Sequence, residues 1–228
     1  MQRGDFGAAE KNLKIALTAF ETEEDFTQCI SVCTSLGVVY FRNKDYKKAG
    51  KYYVQALKLA DEYRLQYHVL HVFMNLALIY IFQGKLEHTL DLFDMAEQSY
   101  IKSGLDGPRA LLYANRASLY TMTGQYDLAH RSIKQSIELE SNHSQPIVQH
   151  TLYTVQGMLA MVEQEYTQAS IAIQKSLDVI NTYQLSFKYI ETQLLYIELY
   201  ISQGETNEAS RMLLQLNAYL KKRKMTIQ

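Results

Sequence analysis

Two prolines and ten glycines in 228 residues are too few to punctuate the many short strands and tight turns of an all-β chain. Cysteine is equally sparse. Cys29 and Cys33 are the only two, and their spacing of four puts both on one face of a helix, where geometry disfavours a disulfide. Such usage fits a reducing compartment, and a cytoplasmic protein is expected. Neither sign of charge prevails: 23 Lys and Arg face 24 Asp and Glu, so no chain-wide positive field exists to hold nucleic acid or an anionic membrane. Long hydrophobic runs are missing too. The longest, Leu76 to Phe82, is far short of a bilayer span, and the opening MQRGDFGAAEKNLK has no apolar signal core. Apolar residues nevertheless make up 47% of the chain, enough to bury a core along its length, which argues against disorder.

Catalytic cassettes are absent as well. There is no HExxH, no Gly-rich phosphate loop, no GxSxG and no CxxC. His68 and His71 stand three apart, but no carboxylate occupies a matching helical position, so neither metal nor other cofactor is expected. Cys29 and Cys33 read as small buried residues, and the chain as noncatalytic. The Glu-Thr-Glu-Glu run at 21–24 reads as a solvated connection before a helix start. Lys221, Lys222, Arg223 and Lys224 read as cations at a helix C-terminus, where the dipole favours them, and direct nucleic-acid binding is not expected.

What the sequence does contain is a period of forty. Ala9, Ala49, Thr89, Ala129, Ala169 and Ala209 share one phase, each followed four residues on by Leu13, Tyr53, Phe93, Ile133, Ile173 or Leu213. Three further on come Ala16, Ala56, Ala96, Ser136, Ser176 and Leu216, while Tyr40, Tyr80, Tyr120, Ala160 and Tyr200 hold an upstream phase. Small residues at i and i+7 with a bulky one at i+4 lie on one helical face, so each unit is a pair of helices with a Gly-marked turn between them. The spacing predicts first helices near 26–42, 66–83, 107–123, 146–163 and 185–203. Second helices are predicted near 6–20, 46–62, 86–102, 126–140, 166–182 and 206–222. Pro108 and Pro146 then fall at helix starts, where proline is tolerated.

LGVVY at 36–40 with DYKKAGKYYVQA at 45–56, LALIY at 76–80 with GKLEHTLDLFDMA at 84–96, and ASLY at 117–120 with GQYDLA at 124–129 resemble the tetratricopeptide repeat. The forty-residue period is longer than the usual 34 of that family and is similar to repeats of bacterial peptide-pheromone receptors of the Rap and PlcR type, MalT-like regulators and some eukaryotic scaffold proteins. The resemblance implies an all-α, right-handed superhelical solenoid of about 11 helices. Along it we expect one domain over 1–228: a half repeat 1–22, repeats 24–62, 64–102, 105–141, 145–182 and 185–222, and a basic tail 221–228. Because the first unit opens at its second helix, a piece of a longer protein, or a missing helix supplied by another chain, is expected. At the other end Leu213 and Leu216 break the bulky-then-small pattern, and the array is expected to stop there.

Repeat solenoids bind along the face lined by their first helices. Phase assigns to that groove His71, Met74, Leu78 and Phe82, with Phe41 and Arg42 before them and Met122 and Met158 after. Asn75 and Asn115 occupy one level in consecutive repeats. Methionine and phenylalanine form an adaptable apolar lining, and two amides supply donors and acceptors for an extended peptide backbone. In peptide-binding relatives an asparagine just before the Leu of the motif grips the ligand, which the resemblance carries onto Asn75 before Leu76. Asn115 matches in position but precedes Arg116. Arg42 is a candidate for a partner carboxylate. The expected function is a regulatory or scaffold module holding a peptide or partner segment. The alternative is a structural module that self-associates, as a homodimer, through its N-terminal half hairpin or convex face.

Overall fold

Among the described residues, those with left-handed backbone fall at intervals of twenty, or of forty across 124–164. Glu24, Lys44, Arg64, Gly84, Gly104, Gly124, Gln164, Gln184 and Gly204 all have φ between 55° and 77°. The structure, a computed structural model, describes residues 3–65, 70–102, 104, 106–140, 145–186 and 188–225. After most left-handed residues, the next N–H reaches back five positions to the preceding helix. Asp25 donates to Phe20, Asp45 to Tyr40, Lys85 to Tyr80, Gln125 to Tyr120, Glu165 to Ala160 and Glu205 to Tyr200, at 2.8–3.0 Å. That is the Schellman closure of a helix C-terminus. The same residue opens the next helix, since its carbonyl accepts from the N–H four positions on, as in Cys29 to Asp25 (3.0 Å) and Ala169 to Glu165 (2.9 Å). Asp25 and Asp45 add side-chain caps to Gln28 N and Lys48 N, both 3.1 Å. One residue thus serves two helices, which leaves no room for insertions.

The chain divides into two compact units, Met1–Pro108 and Arg109–Gln228, each described by itself. The first holds α1 (Arg3–Thr22), α2 (Phe26–Arg42), α3 (Tyr46–Glu62), α4 (Leu70–Phe82) and α5 (Leu86–Lys102). To the second belong α6 (Asp106–Met122), which starts just before the boundary, α7 (Tyr126–Glu140), α8 (Pro146–Val162), α9 (Tyr166–Tyr183), α10 (Tyr189–Ser202) and α11 (Thr206–Met225). Among the described residues all regular structure is helical. The limits of α2, α3, α5 and α7 are those the period predicts, and Pro146 stands in the first turn of α8. Other limits differ, by one residue at α6, α8 and α9 and by three at the start of α1. Glu21 and Thr22 belong to the last turn of α1 instead of a connection, α10 begins only at Tyr189, and α11 carries the basic run onward to Met225.

Contacts between α2 and α3 run antiparallel, from Phe26 stacked on Tyr63 (centroids 3.6 Å apart) to Phe41 tilted against Tyr46 (5.4 Å). Between them a methyl group on Gly37 would overlap the Tyr53 ring. The corresponding pair in the second unit is Gly157 and Ile173, where an added Cβ would lie 2.8 Å from Ile173 Cγ1. Residue for residue, small Gly37, Ala77, Ala117 and Gly157 on first helices share a phase, as do bulky Tyr53, Phe93, Ile133 and Ile173 on second helices. All the bulky partners are buried. In the last hairpin the sizes reverse: Ile197 fills the small site and is buried, while Leu213 is 53% exposed. The phase of Ala49, Thr89, Ala129 and Ala169 is fully buried, as is that of Ala56, Ala96, Ser136 and Ser176. Ser136 keeps its hydroxyl satisfied by donating to Ala110 O at 2.6 Å, joining α7 to α6.

Two glycines on neighbouring helices predict opposite outcomes. Gly37→Ala is expected to destabilise by about 1–3 kcal/mol through overpacking against Tyr53. Gly50→Ala, whose Cβ would meet only Leu76 Cδ1 at 3.9 Å, should stabilise by roughly 0.5–1 kcal/mol through helix propensity. Turn positions give a second contrast, with Lys44→Gly stabilising and Gly124→Ala destabilising, each by about 1 kcal/mol. Urea denaturation of the four variants checks both pairs.

Candidate functional site

On α2 the buried positions are Cys29, Ile30, Val32, Cys33, Thr34, Leu36, Gly37 and Tyr40, which leaves one stripe open at spacings of four, three and four. Ser31 and Arg42 are exposed, and Ser35 and Val38 half-buried. Forty residues on, the stripe of α4 shows half-buried Asn75 and Leu78, the latter 44% exposed. In the second unit α6 offers Leu111, Asn115 and Ser118, all half-buried, and Met122, 61% exposed. The stripe of α8 holds Thr151, Met158 and Val162, and that of α10 exposed Glu191, Glu198 and Ser202. Val155 and Leu195, at the level of the two asparagines, are buried instead. Packing uses the other faces of these helices: Ala110, Ala114 and Ala117 of α6 join Val148, Leu152, Val155 and Leu159 of α8 in one core cluster.

Six of the ten residues predicted for the groove stand on this stripe: Arg42, Asn75, Leu78, Asn115, Met122 and Met158. Asn75 and Arg42 belong to the first unit, Asn115, Met122 and Met158 to the second. Among the described residues no hydrogen bond ties down the Asn75 amide. Asn115 donates one N–H to Leu111 O at 2.8 Å within its own helix, leaving its second N–H and its oxygen outside that bond. Met158 is half-buried and packs on the cluster of Ala160, Ala169, Ile173, Leu195 and Leu199, so it serves the core as well. Two residues stand off the stripe. Phe41 is half-buried beside its turn, and Met74 shares the phase of buried Thr34, Ala114 and Thr154. The side chains of His71 and Phe82, and all of His68, lie outside the described residues. Val162 was not among the predicted residues although it is 46% exposed; its phase, forty after Met122, was the available signal.

Chemistry elsewhere is subdued. Both cysteines are free and buried, and burial pushes the Cys33 thiol up to about 12, away from the thiolate form a nucleophile needs. Among the described residues no group of three or more metal-ligating side chains gathers, and no helix is long and apolar enough to cross a membrane. Glu10 accepts from Lys14 Nζ and from the Tyr40 hydroxyl, both at 2.6 Å, and these bonds hold its carboxyl below the usual range. Between α8 and α10 lies His150, 1% exposed, with Nε2 3.0 Å from Thr192 Oγ1 and no partner for Nδ1. Burial, with Lys188 nearby and Glu191 acting the other way, lowers its pKa to about 4.

A family model described as tetratricopeptide repeat matches residues 26–102, and a second of the same description matches 110–143. The chain carries tetratricopeptide repeats. The fold is shared with solved structures at low identity. The apo form of RapI is 20% identical with a TM-score of 0.73, over 98% of this chain and 80% of that one. BtubC from P. vanneervenii is 14% identical with a TM-score of 0.69, over 96% and 91%. By sequence the chain is similar to anaphase-promoting complex subunit 5 of Rattus norvegicus, 31% identical over 113 residues, or 49% of this chain. The match spans only 16% of that relative's length. A tetratricopeptide array is a protein-interaction module, in which the open stripe is surface that the stack itself does not consume.

His150 makes a pH prediction. Its folded pKa near 4 lies below the 6.5 of a free imidazole, so the unfolded chain takes the proton first. The stability is complete above pH 6.5 and is lost as pH falls towards 4, by about 2–3 kcal/mol. Thermal melts across this range should show the loss, and His150→Gln should flatten it.

Proposed function

We propose that this tetratricopeptide module holds an extended peptide or partner segment against the open stripes of its first helices and performs no chemistry of its own. The supporting observation is the recurrence of solvent-facing, mostly uncharged side chains at one phase of every first helix, while the remaining faces are spent on packing. Leu78, Met122, Met158 and Val162 offer apolar contacts. Asn75 and Asn115 offer amides able to satisfy backbone N–H and C=O groups of a ligand, which an apolar surface alone would leave unpaired. Arg42, exposed at the end of α2, suits a carboxylate of the partner. His71, Phe82, Phe41 and Met74 complete the lining in this reading.

In our reading the module is the scaffold or regulatory part of a larger cytoplasmic protein, a reading supported by the similarity to a subunit of the anaphase-promoting complex and, in fold, to RapI. Neither a membrane nor nucleic acid is a partner in this reading. A second reading, self-association as a homodimer through the second-helix face, draws support from Leu213 and Leu214 on α11, 53% and 70% exposed. Light scattering separates the two, because Leu214→Glu should abolish a dimer without touching the stripe.

The direct test is a pull-down with the intact chain beside the Asn75→Ala, Asn115→Ala double variant, followed by calorimetry on the recovered segment. Two lost backbone contacts of about 0.5–1.5 kcal/mol each should weaken binding by roughly tenfold or more. An unchanged affinity would refute the amide role.

A further inference from the structure

Gly50 sits inside α3 without a packing reason. Gly37 and Gly157 are demanded by Tyr53 and Ile173, whereas a Cβ on Gly50 would make only an ordinary contact. A helix-interior glycine costs stability relative to alanine and leaves the backbone open to close approach. Its absent side chain forms part of a depression of about 460 Å³ on α3, lined also by Lys47, Lys51, Val54, Gln55 and Lys58. All three lysines are exposed and, among the described residues, none is in a salt bridge, although Lys47 acts on the nearby Asp45 carboxylate, and Val54 is 37% exposed between them. No carboxylate lines this depression.

At the equivalent positions of α1, forty residues earlier, only Lys11 matches, standing where Lys51 does, while Glu10 stands at the place of Gly50 and Lys14 at that of Val54. Gly7, Lys11 and Ile15, the last 59% exposed, line a second depression with Lys14 and Glu10, whose charges are already engaged with each other. Tyr40 of α2 touches both neighbouring helices, bonding Glu10 of α1 and lying under Lys48 of α3 at 5.2 Å. The repeat does not require cations here, since α5 has Glu87 and Asp91 at the positions of Lys47 and Lys51.

We propose that the outer face of α3 forms a dock for an acidic polypeptide segment whose carboxylates meet Lys47, Lys51 and Lys58 and whose apolar side chain enters the notch at Gly50 beside Val54. Charge complementarity selects the partner, because a cationic face on a chain of net charge −1 attracts carboxylates without attracting polyanions to the whole molecule. A polypeptide fits better than nucleic acid, since neither depression is lined by an arginine or an aromatic ring for stacking. This dock is separate from the first-helix stripe and stands without it.

Fluorescence anisotropy of the full chain with a fluorescein-labelled peptide of glutamates around a central leucine tests the proposal. Saturable, salt-weakened binding is expected, reduced about tenfold or more by Lys47→Glu with Lys51→Glu, the sum of two exposed charge pairs lost and reversed. Gly50→Ala leaves every charge in place and should weaken binding about threefold or more by filling the notch, while leucine-to-glutamine in the peptide does the same from the other side. Absence of saturable binding, equal binding of inorganic polyphosphate, or indifference to both Gly50→Ala and the leucine change would overturn the dock. So would a dimer in light scattering that the lysine reversals dissolve, which would assign the face to a second copy. Because the altered lysines are exposed, retained helical circular dichroism confirms that the variants fold.

Discussion

A three-residue reversal in which one residue finishes a helix and caps the next is the constraint on which everything else depends. Its left-handed residue costs about 1 kcal/mol wherever a side chain is present, yet Glu24, Lys44, Arg64, Gln164 and Gln184 accept the conformation. After all five the returning N–H satisfies a carbonyl of the helix being closed, and after Glu24, Lys44 and Gln164 the same residue's carbonyl also opens the next helix. Removing or adding a single residue would rotate the following helix by about 100° and turn its core face to solvent. The exact register of forty is therefore a consequence of turn chemistry, with packing as the penalty for breaking it.

Given that register, packing becomes a matter of paired sizes. A first helix contributes Gly or Ala and its partner contributes Tyr, Phe or Ile at the matching level, so the helices close without voids. The last hairpin shows that the rule is about the pair. Once Ile197 occupies the small position, Leu213 has no recess to enter and remains half outside. The exposed leucines of α11 are thus the far side of a substitution on α10.

The period, helix limits, buried small residues and both prolines were legible because each follows from local chemistry repeated at a constant interval. The half-period of twenty was less visible, since only some turns carry glycine and the others disguise the same backbone behind Glu, Lys, Arg or Gln. Counting from Leu36 puts Asn75 and Asn115 on the open stripe, whereas Met74 and Phe41 fall on its flanks, since a helical face is about 100° wide. The basic face of α3 escaped notice because its lysines are interleaved with Gly50, Tyr52, Tyr53 and Val54; in linear order they never form a run, and only the helix aligns them.

Packing supplies a way to separate function from structure when no homologues are compared. Gly37 and Gly50 are the same residue in adjacent helices, yet one is accounted for by Tyr53 and the other by nothing inside the molecule. Asn75 stands in the same relation to Leu76, whose burial explains it fully, while the amide one position earlier makes no bond among the described residues. Selection for stability alone would favour alanine at position 50, where helix propensity gains without a clash. A residue that weakens the fold without repairing anything in it points outward. Gly50 and Asn75 are two such positions, and they lie on the two surfaces proposed above.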